Sequence, residues 1–234
     1  VTSGAKYALF IALQSIIEAG DEVILPAPYW VSYPEQIKFA GGKVVSIETK
    51  EKNGFKMTAQ EFAAKINENT KAVIINSPNN PTGAVYSKEE LEEIAQVAIE
   101  NDILIIADEI YQKISYGQRA VSIASLGEEV KKRTIVVDGV SKSYAMTGWR
   151  IGYAAGPKNI IEGMGCLQSH STSNPNSIAQ KASLAALAGT QEPTKKMVTA
   201  FEARRDLLVR LINSIAGFKA VKPQGAFYLF VNIK

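Results

Sequence analysis

Continuous apolar runs rich in β-forming residues alternate with longer stretches in which apolar residues recur at helical spacing. The runs at 22–25, 44–47, 72–76, 104–107, 134–138 and 151–155 have few polar interruptions. That is how strands buried on both faces read. Helical patterns fall at about 5–18, 31–40, 58–67, 88–101, 158–168, 176–188 and 194–215. Ser87 with Glu90, and Thr58 with Glu61, have the spacing of capping boxes at two helix starts. The alternation predicts a three-layer α/β/α sandwich around a mostly parallel central sheet, with helices on both faces.

The pattern over 194–215 is amphipathic and rich in Lys and Arg, and it is expected to close at Gly217. Pro223-Gln224-Gly225 predicts a turn into a strand over 226–233. This end is expected to begin a smaller α+β domain, dividing the chain into a large domain at 1–200 and a connecting helix and first strand at 201–234. Neither end reads as a domain boundary, so a fragment of a longer protein is expected. No internal repeat or low-complexity segment is visible.

Composition narrows the classes. The chain has 234 residues, 46% hydrophobic and 21% charged, enough for a sizeable core. A net charge of +3 is too small to argue for nucleic acid or a membrane surface. No apolar stretch reaches the roughly 18 residues of a membrane span, and no signal peptide is visible. One His and one Cys make a His/Cys metal site a poor reading. A single cysteine fits a reducing, cytoplasmic compartment, and Cys166 reads as a small core residue.

In parallel sheets ligands bind beyond the carboxyl ends of the strands, and the polar clusters fall there. Asn76-Ser77-Pro78-Asn79-Asn80-Pro81-Thr82-Gly83 follows one strand, Asp108-Glu109 ends the next, and Ser141-Lys142 follows the one after. A lysine in that position can form a Schiff base with a carbonyl compound, although most loop lysines are only solvated charges. Asp108, at the end of an apolar run, needs a partner. That partner is a protonated pyridine nitrogen, a helix cap or a salt bridge. Asn80 is a turn former or a donor to an anionic oxygen. Tyr111, three residues after Asp108, can point the same way. Gly4, Ala5 and Lys6 open a helix, as an anion site or as an ordinary helix start. Trp30 is a packing residue or a stacker on a planar ring. Arg150 is a surface ion pair or a bidentate phosphate ligand. His170 lies in a polar loop, as a site-rim or subunit contact or simply solvated.

Six segments together resemble a known family: SGAK (3–6), PAPYWVSYPE (26–35), NSPNNPTGAVY (76–86), ADEIY (107–111), SKSYAMTGWRIGY (141–153) and PQGAFY (223–228). In this order and spacing they look like the large domain of a fold-type I, pyridoxal phosphate (PLP)-dependent class I aminotransferase of the prokaryotic aspartate type. The resemblance implies that Lys142 carries the cofactor as a Schiff base and moves the substrate proton. It implies that Asp108 pairs with the pyridinium nitrogen and that Asn80 and Tyr111 hold the phenolic oxygen. Trp30 would stack on the ring. Gly4, Ala5, Lys6 and Arg150 would hold the phosphate. Where the family often has Ser or Thr three residues before the lysine, this chain has Gly139, so its backbone or Ser141 is expected to compensate.

The implied activity is ping-pong transamination of aspartate, or a related dicarboxylic amino acid, with 2-oxoglutarate. Prephenate, alanine or aromatic amino acids are alternatives. Outside enzymes, the alternatives are a PLP-sensing domain of a transcription regulator and a relic that keeps only the fold. The family's substrate-carboxylate arginine is expected beyond Lys234, and the tyrosine that reaches the partner's phosphate before Val1. A homodimer is implied.

Overall fold

The computed structural model describes residues 1–233, so the last residue of the expected 201–234 segment lies outside them. Helices α1 (Ala5–Ile16), α2 (Ser32–Phe39), α3 (Ala59–Ala63), α4 (Lys88–Glu100) and α5 (Glu128–Lys131) alternate with strands β1 (Glu22–Ala27), β2 (Lys43–Glu48), β3 (Thr70–Asn76), β4 (Leu104–Asp108) and β5 (Thr134–Gly139). Then come β6 (Gly152–Ala155), α6 (Lys158–Ser169), α7 (Ser177–Ala188), α8 (Glu192–Asn213), β7 (Phe218–Ala220) and β8 (Val231–Ile233).

The main sheet has six strands in the order β2-β1-β3-β4-β5-β6. Its pairs are parallel apart from β5 and β6, which run antiparallel. A parallel pair needs a crossover, usually a helix. The β5–β6 connection has only a loop with a short 3₁₀ turn at Thr147–Trp149, so the chain reverses. That loop carries Lys142.

Successive side chains of a strand point to opposite faces. In β3, Ala72 and Ile74 join α1 and α2 on one side, whereas Val73 and Ile75 join α3 and α4 on the other. Each fully buried Leu or Ile contributes roughly 1.5–3 kcal/mol, and Leu13, Ile24 and Ile74 are among them. Both expected capping boxes form. The Glu61 N–H donates to Thr58 Oγ1 (3.1 Å) and the Thr58 N–H to Glu61 Oε2 (2.9 Å). The Glu90 N–H donates to Ser87 Oγ (3.2 Å) and the Ser87 N–H to Glu90 Oε2 (2.7 Å).

Three expectations need correction. α8 closes at Ser214, before Gly217, because Asn213 exchanges two hydrogen bonds with the Ala220 backbone (2.8 and 3.2 Å) and turns the chain. The strand expected over 226–233 shrinks to β8, paired with β7. Ala226, at φ 54°, is drawn out of pairing by its N–H bond to Ile114 O (2.8 Å) and by the Tyr116 hydroxyl on its carbonyl. Cys166 is exposed, because α6 turns Met164 inward and Cys166 lies two residues round the helix. No helix among the described residues is long and apolar enough to cross a membrane.

Candidate active site

β3, β4 and β5 are neighbours, and Asn76 lies beside Asp108 in register. Their following loops reach one edge of the sheet and surround a cavity of about 170 Å³. A water occupies about 30 Å³ of liquid volume, so this space suits a ligand. Ala5, Lys6, Trp30, Asn80, Asp108 and Tyr111 line it, as do Ser141, Lys142 and Arg150. Gly4 backs Arg150 at its mouth.

The deep end is built on Asp108. Its carboxylate accepts from the Tyr33 hydroxyl (2.6 Å) and from the Ile110 N–H (3.2 Å). Both donors are neutral. Burial pushes the carboxyl above its ordinary range, while Tyr33, the Ile110 N–H and the Lys142 charge pull it back. Burial, and then Asp108 itself, push the Tyr33 phenol well above its usual value, so Tyr33 keeps its proton and donates it.

Lys142 is half-buried in the β5–β6 loop. Its Nζ lies 6.0 Å from the Tyr111 ring centre and 5.9 Å from that of Phe227. The Tyr111 hydroxyl shares a hydrogen bond with that of Tyr228 (2.7 Å). Burial and this bond raise the Tyr111 phenol, against a hydrogen bond from the Asn80 side chain. Asn76 ties the strand ends together: its Nδ2 donates to Asp108 O (2.9 Å) and its Oδ1 accepts from the Asn80 N–H (2.8 Å). Thr147 Oγ1 donates to Ser141 O (2.9 Å) and closes the lysine loop.

The mouth is cationic. Arg150, at φ 55°, donates from Nη1 to Thr147 O (3.0 Å) and from Nη2 to Ser3 O (3.4 Å). Both acceptors are carbonyls, so the guanidinium charge stays uncancelled. The first turn of α1, beside it, contains no acid, and its free N–H groups favour an anion. Gly4 sits at φ 88°, and a Cβ there would stand 2.2 Å from Arg150 Nη2. Lys6 Nζ lies 4.7 Å over the Trp30 ring, and Trp30 meets Tyr33 edge-on. Gly139 has no room for a side chain: a Cβ would meet Ile151 O at 2.8 Å. A Ser or Thr hydroxyl is therefore excluded at that position by the backbone of the returning loop.

The family model for aminotransferase class I and II matches residues 1–234. The chain belongs to the class I and II aminotransferases. It is 54% identical to the aspartate aminotransferase of Geobacillus stearothermophilus, over all of this chain and 60% of that protein. It is 47% identical to the aspartate/prephenate aminotransferase of Thermus thermophilus, over 99% of this chain and 60% of the relative. The crystal structure of the aspartate aminotransferase from Rhizobium meliloti superposes with a TM-score of 0.96 at 44% identity, covering 98% of this chain and 58% of that one. The chain thus spans about three fifths of the length of these relatives.

Within this aminotransferase fold, Tyr33, Asn76, Thr147 and Tyr228 also line the cavity, and residue-by-residue reading had not singled them out. Tyr33 had a signal: it lies in the first turn of the helix expected over 31–40 and follows Trp30 by three residues, about one helical turn. Tyr228 lies within PQGAFY, but its approach to Tyr111 spans 117 residues. His170 is exposed at the end of α6 and is not among the residues lining the cavity.

Proposed function

We propose that the protein is a PLP-dependent aminotransferase acting on aspartate, with 2-oxoglutarate as the acceptor, in two ping-pong half-reactions. The observation that carries this reading is Asp108: a buried carboxylate with only neutral donors, opening onto the same cavity as a lysine amine. The donor set fits the cofactor. Asp108 would hold the ring nitrogen, Asn80 and Tyr111 the phenolic oxygen, and Trp30 the ring face. Arg150 and the N–H groups of Ala5 and Lys6 would hold the phosphate, with Ser141 close by; the Gly4 N–H is engaged by Thr2 O (2.8 Å), and Gly4 contributes by leaving room for Arg150. Lys142 would hold the carbonyl carbon through Nζ. Bound there, PLP supplies a ring that withdraws electrons from the substrate Cα.

The chain's own groups do the rest. Lys142 Nζ is the base for the substrate Cα proton. Asp108 remains an acceptor because Tyr33 keeps its own proton and donates to it. Phe227 and Tyr228, on the segment after α8, pack against Tyr111 and limit water above the lysine.

A second substrate, prephenate, is favoured by the name of the Thermus relative. A relic that keeps only the fold would not need a lysine amine and a buried carboxylate in one cavity; a PLP-sensing domain would keep both, and turnover of aspartate separates it from an enzyme. We also read residues 1–200 as the large domain and 201–234 as the start of a smaller one, with β7–β8 forming a sheet of their own. A homodimer in the cytoplasm completes the proposal, and the free Cys166 thiol suits a reducing compartment.

Absorption spectra of the purified protein with PLP test it. A near-UV or visible band that shifts with pH and with added aspartate is expected. Lys142→Ala should abolish the shift and lower kcat by about 10⁴-fold. An unchanged spectrum in that variant sinks the assignment. A panel of amino donors scored by kcat/KM ranks aspartate against prephenate-derived and aromatic substrates.

A further inference from the structure

The lysine loop is fixed from outside the cavity. Ser143 and Tyr144 directly follow Lys142, and each is anchored to the start of α8. Thr194 Oγ1, buried, donates to Ser143 O at 3.0 Å. The Tyr144 hydroxyl donates to Gln191 Oε1 at 2.9 Å. The same oxygen accepts from Lys113 Nζ at 3.0 Å, and Lys113 lies only two residues beyond Tyr111. Lys113 Nζ also stands 5.1 Å over the Tyr144 ring.

The carboxamide is itself oriented. Gln191 Nε2 donates to Gly189 O (2.8 Å) and Ala186 O (3.1 Å), at the end of α7. One side chain therefore joins three segments: the loop bearing Lys142, the turn bearing Tyr111, and the α7–α8 junction. Gln191, Tyr144, Lys113 and Thr194 are not among the residues lining the cavity.

We propose that Gln191 is a positioning residue for Lys142, acting through Tyr144 and, together with Thr194, fixing the lysine loop to the first turn of α8. The inference rests on the reading of Lys142 as the amine that meets the carbonyl compound. A lysine side chain has four rotatable bonds, so the place of Nζ depends on how firmly the backbone at 142 is held. Misplacing a reacting group by about 1 Å can cost on the order of 100-fold. Gln191 Oε1 sets that backbone through a hydroxyl two residues away. Gln191→Ala removes the acceptor of both Tyr144 and Lys113 and leaves Thr194 as the loop's hydrogen bond to α8. Gln191→Glu keeps an acceptor oxygen for both but cannot donate to Gly189 O and Ala186 O.

The test reads bond formation at Lys142 without turnover. The purified protein, stripped of cofactor, is mixed with PLP. It is quenched with borohydride at timed intervals, and the peptide containing Lys142 is quantified by mass. In the parent protein the label must fall on Lys142; if it does not, the functional reading itself fails, and this inference fails with it. Given that label, Gln191→Ala should slow its appearance by about tenfold. The equilibrium affinity for non-covalently bound pyridoxine phosphate should stay within about twofold, because the anion-binding groups are untouched. Gln191→Glu, which keeps the acceptor but loses the Nε2 donors to Gly189 O and Ala186 O, should label at a rate between those of the parent and Gln191→Ala. Tyr144→Phe should reproduce the slowing, and the double variant should be no slower than Gln191→Ala alone, as expected for two members of one path. Labelling in Gln191→Ala at the parental rate, equal slowing in Gln191→Glu, or additive effects in the double variant would each overturn the proposal. If Gln191→Ala does not fold, Tyr144→Phe at the parental rate overturns it and slowed labelling supports it.

Discussion

Asp108 and Glu109 are adjacent in the chain and similarly buried, 3% and 7% exposed, yet they serve opposite sides of the sheet edge. Asp108 continues the side of Ile106, where Tyr33 meets it. Glu109 continues the side of Ala107, where it faces Ser122 and accepts from Gln112 Nε2 at 3.1 Å. Burial pushes Glu109 up to about 7. It likewise pushes nearby Asp138 up to about 6, against donors from the Gly139 N–H and the Tyr153 hydroxyl. Carboxyls made weaker acids by burial therefore occur on both sides. Only Asp108 opens on a cavity with a lysine amine and a hydroxyl that holds its proton. A perturbed carboxyl marks a site when space and complementary chemistry accompany it; burial alone is a packing cost.

The largest expected effect comes from breaking the pocket side. Asp108→Ala should lower kcat/KM by about 10³-fold, the order seen when a preorganised electrostatic partner is lost. Steady-state kinetics with aspartate check this, and a loss below tenfold would erase the contrast with Glu109. Tyr33→Phe removes one donor and leaves the carboxylate in place. A fall in kcat/KM of about tenfold is expected, with stability lowered by about 1 kcal/mol in urea unfolding. Asp108 should also titrate higher without that donor, since the Tyr33 hydrogen bond lowers its pKa.

The smallest effect on activity, within about twofold, is expected for Glu109→Gln. Its signature is pH-dependent stability. Glu109 is raised from 4.5 to about 7 on folding. Between those values the folded state keeps a proton that the unfolded state has released, so stability falls as pH rises through that window. Above it, the parent carries the full penalty of a buried carboxylate. Gln has no charge to bury, so the variant should melt about 4 °C or more above the parent at pH 8. The gap should close towards pH 4.5. A variant with the parental pH slope would show that Glu109 is compensated by a group outside its own side of the sheet.

Local chemistry was legible where it decides structure within a few residues. The strand runs, the capping boxes at Thr58 and Ser87, and the polar ends of β3, β4 and β5 all follow from neighbouring residues. The antiparallel β6 was not legible, because its direction depends on whether the loop before it crosses over or turns back. Ala226 escaped for a related reason: its carbonyl and N–H are claimed by Tyr116 and Ile114, more than a hundred positions away. The site divides in the same way. Lys142 and Asp108 declare themselves by position at strand ends. Tyr228 becomes a cavity residue only once α8 has carried the chain back across Tyr111. Cys166 was misplaced because its size suits a core, while the face it occupies depends on the phase of α6.

Thr2 forms an isolated antiparallel bridge with Gly152, its N–H on Gly152 O at 2.7 Å and its own carbonyl taking the Gly152 N–H at 3.0 Å. This pairing sets a clock during synthesis. Residues 2–6 leave the ribosome about 150 residues before Gly152, on the strand that seats them. At about 5–20 residues per second, the wait is on the order of 10 s. Throughout that interval the start of α1 lacks both its pairing partner and the Arg150 guanidinium. On the proposed reading of this site, the capacity to hold a phosphate-bearing ligand arises late, when β6 arrives, so such a ligand would reward chains that have reached that point and pass over shorter ones.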